Sequence, residues 1–176
     1  MSTLVIHMDD RSTDFLCDIY SDKNWDRING INMSTSHLKR QIQNYNRIVM
    51  MGHGSPGGLF AYQWRGYVIN PNFVYLLKDP NKQYVYIWCN ADMFVERYRL
   101  FGFYTGMIIS EVAEAYACNI GATQEEVDYS NQLFASSIKN AIDTDNILRN
   151  TLDAYVGDDN DVIQFNRQRI YEKKCS

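Results

Sequence analysis

Two residues in this 176-residue chain are of types that together perform nucleophilic chemistry, and each follows a short apolar run. His53 stands in "RIVMMGHGSPGG" (residues 47–58), and Cys89 ends "YVYIWC" (84–89). A thiolate is a strong nucleophile, and a histidine beside it can take up the thiol proton and return it to a leaving amine. The pair needs closeness in space, not in sequence. The 36 residues from 53 to 89 are enough for a crossover between neighbouring parallel strands. Glycines flanking His53 admit close approach of a substrate backbone, and the Gly54 amide can face a developing oxyanion. Taken singly, each residue has a plainer reading. A cysteine closing an apolar strand is most often a small buried side chain, and a histidine between glycines is a turn residue. Their shared position at strand ends raises the pair above those readings.

The elements that must position them follow from local pattern. "TLVIHM" (3–8) reads as a first strand, ended by the turn chemistry of "DDRSTD". Residues 34–45 combine Ser/Thr caps with Leu38, Ile42 and Tyr45 on one helical face. "RIVMM" is a short buried-type strand, "LFAYQWRGYVIN" a hairpin or projecting loop around Arg65-Gly66, and "PNFVYLLK" a short helix with proline in its first turn. "YVYIWC" is a third strand. After it, "NADMFVERYRLFGFYTG" is irregular and aromatic, with "GFYTGMII" a candidate later strand. "MIISEVAEAYACNIG" reads as a helix stopped near Gly121. Thr123 and Glu126 form a capping-box pattern opening a helix to about Ile142. "DTDNILRNTLDAYVG" and "DNDVIQFNRQRIYEKK" read as two more helices. The expectation is a single α/β domain over residues 1–176, a three-layer sandwich. Its mainly parallel sheet has about four to five strands, and its C-terminal half is helical. In such sheets chemistry gathers at the carboxyl ends of the strands, where His53 and Cys89 fall.

At these residues the chain resembles the caspase-like cysteine peptidases: caspases, metacaspases, gingipains, legumains, separases and CHAT peptidases. "IVMMGHGSPGG" is similar to their strand-His-Gly motif, with "GHGS" nearest the separase form. "YVYIWCNAD" is similar to their second motif, a strand ending in the catalytic cysteine. The resemblance covers about residues 46–92. It implies a caspase-like sheet, His53 as general acid/base and Cys89 as nucleophile. The Gly54 and Cys89 amides would form the oxyanion hole, and a peptide bond would be cleaved through a thioester. Two features depart from the pattern. Trp88 stands where many members have a small residue, and no glycine follows Cys89 within three positions. Complete members usually have six strands.

Asp10, Trp88 and Asp92 are the expected substrate contacts. Asp10, with Asp9, ends the first strand and suits a basic substrate group. Trp88 and Asp92 flank the nucleophile, and Asp92 or Glu96 could instead orient it or His53. His7 and His37 read as structural. The formal net charge of -4 and the lack of a long basic run disfavour nucleic acid as a partner. No apolar run approaches a membrane span and the start lacks a basic leader, so a cytoplasmic protein with reduced thiols is expected. Cysteines and histidines do not cluster, so neither metal nor other cofactor is expected. "GHGSPGG" lacks the Gly-Lys-Ser/Thr ending of a phosphate loop. The expected partner is therefore a protein or peptide substrate. A thiol amidase acting on a small metabolite is another reading, and a non-catalytic caspase-like module binding a small ligand or protein segment is the main alternative.

Overall fold

The alternation of strands and helices is realised in the computed structural model, which describes residues 1–29, 33–61, 63 and 65–175. These divide into two compact units. The first comprises Met1–Asp10, Asn24–Gly106 and Tyr171–Ser176; the second comprises Arg11–Lys23 and Met107–Ile170. Nine strands occur among the described residues: β1 (Thr3–His7), β2 (Asp26–Ile28), β3 (Arg47–Met51), β4 (Gly54–Ser55), β5 (Gly58–Phe60), β6 (Tyr67–Ile69), β7 (Gln83–Ile87), β8 (Gly102–Thr105) and β9 (Ile170–Lys173). Six form a sheet of order β2-β1-β3-β7-β8-β9, and β4-β5-β6 form a smaller sheet. The β1–β2, β1–β3, β3–β7 and β7–β8 pairings are all parallel.

The fold class is thus α/β with a mostly parallel sheet, but six strands replace the four to five expected. The two extra strands carry weak patterns. β2 has only three residues, two of them exposed and charged. β9 lies inside a segment read as helix. The helix there stops at Arg167, and "IYEK" continues as an edge strand beside β8, with Tyr171 packed on Tyr104 at 5.5 Å between ring centroids.

β1 and β3 are buried at every position, as strands covered on both faces should be. Within the first unit, one face of the sheet supplies Leu4, Ile6, Ile48, Met50, Tyr84 and Tyr86 to a single core. The helices that meet it are α1 (Thr35–Asn44), through Leu38 and Ile42, and α2 (Ala91–Tyr98), through Phe94 and Val95, joined by Phe73 and Leu77 of the 3-10 helix Pro71–Lys78. α1 starts where sequence predicts: the Ser34 side chain accepts from the His37 amide. Burying each large apolar side chain of this set contributes about 1.5–3 kcal/mol. The Tyr84 hydroxyl crosses the core to donate to the Leu76 carbonyl at 2.8 Å, and burial pushes its phenol up to about 12.

The second unit holds a 3-10 helix (Arg11–Tyr20), α3 (Val112–Ala117), α4 (Gln124–Ala141), α5 (Ile147–Ala154) and α6 (Asp161–Arg167). Both reciprocal bonds of the Thr123–Glu126 capping box are present. Its interior is pinned by Asn166, which is 1% exposed. Asn166 donates to the Ile109 carbonyl at 3.0 Å and to the Tyr155 hydroxyl at 3.1 Å, and it accepts from the Ile109 amide at 2.8 Å. Tyr155 also bonds Ser130 at 2.7 Å. Replacing Asn166 with alanine strands the Ile109 amide and carbonyl and takes one of two partners from the Tyr155 hydroxyl, so urea denaturation should show a loss of about 2–3 kcal/mol. A loss under about 0.5 kcal/mol would mean the network contributes nothing beyond packing. No helix among the described residues is long and apolar enough to cross a membrane.

Candidate functional site

The two chemistry-bearing residues leave adjacent parallel strands at one sheet edge. β3 and β7 pair in register up to Met51 with Ile87, and the Gly52 amide extends the pairing by donating to the Ile87 carbonyl at 3.0 Å. His53 and Cys89 each lie two residues past the Met51–Ile87 pair, and neighbouring strands run about 4.8 Å apart. Both side chains are half-buried.

The backbone after Cys89 makes the turn that the sequence left unexplained. The Ala91 amide donates to the Trp88 carbonyl at 3.1 Å, closing a four-residue turn with Cys89 second and Asn90 third. Asn90 has φ 65° and ψ 31°, the left-handed conformation that favours glycine, with asparagine among the best-tolerated alternatives. Asn90, one residue after Cys89, thus takes a conformation that glycine favours, while Ala91 and Asp92 stand where many members of the resembled family have glycine. α2 starts at once, so Cys89 sits just ahead of a helix N-terminus, whose dipole favours an anion.

After His53 the chain enters the small sheet. The Phe60 amide donates to the His53 carbonyl at 2.8 Å. Bonded and non-bonded pairs alternate in an antiparallel ladder, so the next pair, Gly54 with Leu59, is of the non-bonded kind. The Gly54 N–H therefore points away from β5, and β4 is an edge strand. The return of the hairpin is held by Phe60 stacked on Tyr67 at 5.1 Å and by the Tyr67 hydroxyl, 2.9 Å from Ser55 Oγ.

Asp10 is where the parallel sheet implied: its carboxylate lies 3.8 Å from His53 Nε2. Asp10 and His53 line a small cleft with Met8, Asp9, Phe60 and Ala61. Asp10 therefore faces the histidine directly, whatever else it contacts. Trp88 is placed differently from the expectation of a substrate contact. It is 2% exposed and belongs to the core, edge-on to Tyr86 and Phe94 at 5.6 and 5.7 Å. Asp92 lies in the first turn of α2, with Oδ1 buried and no hydrogen-bond partner for that atom among the described residues. Glu96 is committed elsewhere: Lys173 at 2.9 Å and the Tyr104 hydroxyl at 3.1 Å both donate to it. The Lys173 hydrogen bond chiefly holds its carboxyl below the usual range, while burial and then Glu96 push Tyr104 up to about 12.

Sequence reasoning missed Thr105. Its hydroxyl donates to the Trp88 carbonyl at 3.1 Å and ties the Cys89 turn to β8. A lone threonine in an aromatic strand gives no signal of that role. Among the described residues, no group of three His, Cys, Asp or Glu side chains is arranged to hold a metal ion. The strand ends thus place a thiol at the end of β7 and, past the end of β3, an imidazole with a carboxylate beside it and an outward backbone amide. Compared with protein-family models, with curated proteins and with solved structures, the chain matches none.

Proposed function

We propose that this protein is a cysteine hydrolase of the caspase-like kind, acting on a peptide or amide bond through His53 and Cys89. The observation that carries the reading is the register of β3 and β7, which sends both residues off adjacent strands at the same edge. Six strands, the number usual in complete members, support the caspase-like form of the fold.

In this reading the Cys89 thiol gives its proton to His53 and its sulfur adds to the substrate carbonyl. The Gly54 and Cys89 amides receive the oxyanion. The C–N bond breaks as His53 returns the proton to the leaving amine, which leaves a thioester. Water, deprotonated by His53, then hydrolyses the thioester and regenerates the thiol. Asp10 is the positioning group for the His53 ring. Asp10→Asn is expected to slow acylation by 4-nitrophenyl acetate about tenfold with little change in melting temperature, because a part-exposed histidine–carboxylate contact contributes under about 1 kcal/mol to stability. An unchanged rate would remove Asp10 from the mechanism.

The direct test is differential alkylation. Cys17, Cys89 and Cys118 are all half-buried, so access alone does not separate them. Iodoacetamide at neutral pH should modify Cys89 at least tenfold faster than Cys17 or Cys118, and His53→Ala should erase that advantage. Equal rates in the wild type would sink the catalytic reading and leave the binding-module alternative.

A further inference from the structure

Trp88 is the residue through which the histidine loop and the cysteine turn are mechanically joined. Its indole Nε1 donates to the Ser55 carbonyl at 3.2 Å, two residues past His53. Its ring lies against Gly54 so closely that a Cβ there would overlap Cδ1 and come within 2.5 Å of Cγ. Its own carbonyl accepts from Ala91 and from Thr105, both at 3.1 Å, on the chain that carries Cys89. Tyr86 and Phe94 hold the ring edge-on from two sides, and the residue is 2% exposed. One rigid side chain therefore fixes β4 from below while its main chain anchors the nucleophile turn.

We propose that Trp88 is a positioning residue for the oxyanion site, setting the Gly54 amide at a fixed place relative to the Cys89 sulfur. This inference rests on the hydrolase reading. Gly54 is glycine because the indole occupies the space of a side chain, and Ser55 supplies the carbonyl that fixes the indole's orientation. The tryptophan that departs from the family's small residue is then the counterpart of this glycine. Its bulk does not obstruct a substrate, since nearly all its surface is spent within the core.

Two reagents separate this role from simple packing. Alkylation by iodoacetamide is a displacement at sp3 carbon and forms no oxyanion. Acylation by 4-nitrophenyl acetate adds the thiolate to a carbonyl, passes through an oxyanion and expels 4-nitrophenolate. Trp88→Phe keeps an aromatic ring and removes the N–H and the contact with Gly54. It should lower the acylation rate of Cys89 about tenfold or more while changing its alkylation rate less than about twofold. Equal falls in both rates, or no fall in either, would overturn the proposal. A benzothiophene analogue of Trp88 keeps the indole's shape and removes only the N–H, so it serves if Trp88→Phe does not fold. A few-fold selective loss of acylation is expected for it, and none would overturn the proposal. Failure of the hydrolase reading is seen separately, as a wild-type Cys89 no more reactive than Cys17 and Cys118.

Discussion

Cys89→Ala should abolish release of 4-nitrophenolate above the reagent's background while the protein still folds. The substitution removes one sulfur atom from a half-buried site, so its stability cost is small, about 1 kcal/mol or less. The chemical cost is large on the proposed mechanism, in which Cys89 is the nucleophile. A rate fall of about 10⁴-fold or more is expected. His53→Ala should cost about 10²–10⁴-fold, the range for a positioned acid/base. The double variant should be no slower than Cys89→Ala alone, since in the proposed dyad the two residues act as one unit and their effects do not add. Multiplicative losses would mean that they contribute separately and do not form a dyad. A Cys89→Ala protein that still releases 4-nitrophenolate at the wild-type rate would move the chemistry to another residue.

Much of this arrangement is legible in sequence because it is local. β1, β3 and β7 are continuous apolar runs, and the Thr123–Glu126 box sets the start of α4 by bonds within four residues. The positions of His53 and Cys89 follow from where those runs end. What escapes is of two kinds. One is local structure whose signal is faint: β2 is half-exposed and three residues long, and α2 starts from a left-handed asparagine with no side-chain cap. The other is tertiary. Nothing in "YIWCNAD" says that Trp88 packs on Gly54, and nothing in "DDRSTD" says that Asp10 reaches His53. Those contacts exist only once β1, β3 and β7 lie side by side. The same logic explains why the tryptophan reads as a substrate contact in sequence and is part of the core in three dimensions.

Gly58→Ala is expected to be among the most damaging single substitutions in the first unit, although Gly58 is no part of the reacting groups. Its φ of +137° belongs to a region open essentially only to glycine, so any side chain there is strained by its own backbone. A Cβ would also overlap the Ile69 carbonyl oxygen and lie 3.0 Å from the Ile69 carbonyl carbon. These are backbone atoms of β6, which pairs with β5 and has no side-chain rotamer to yield. Strain and overlap together should cost about 3 kcal/mol or more, read as a lowered urea midpoint. The damage should then pass to the site. β5 fixes β4, since Phe60 holds the His53 carbonyl and Gly58 pairs with Ser55. With that hairpin displaced, acylation of Cys89 by 4-nitrophenyl acetate should fall, even under conditions where the protein remains folded. Gly66→Ala is the matched control: Gly66 also has positive φ, at +90°, but nothing lies within 4 Å of its Cβ position. It should cost only about 1 kcal/mol and leave acylation within about twofold. If the two variants behave alike, the close approach of β5 to β6 is not what holds the histidine loop.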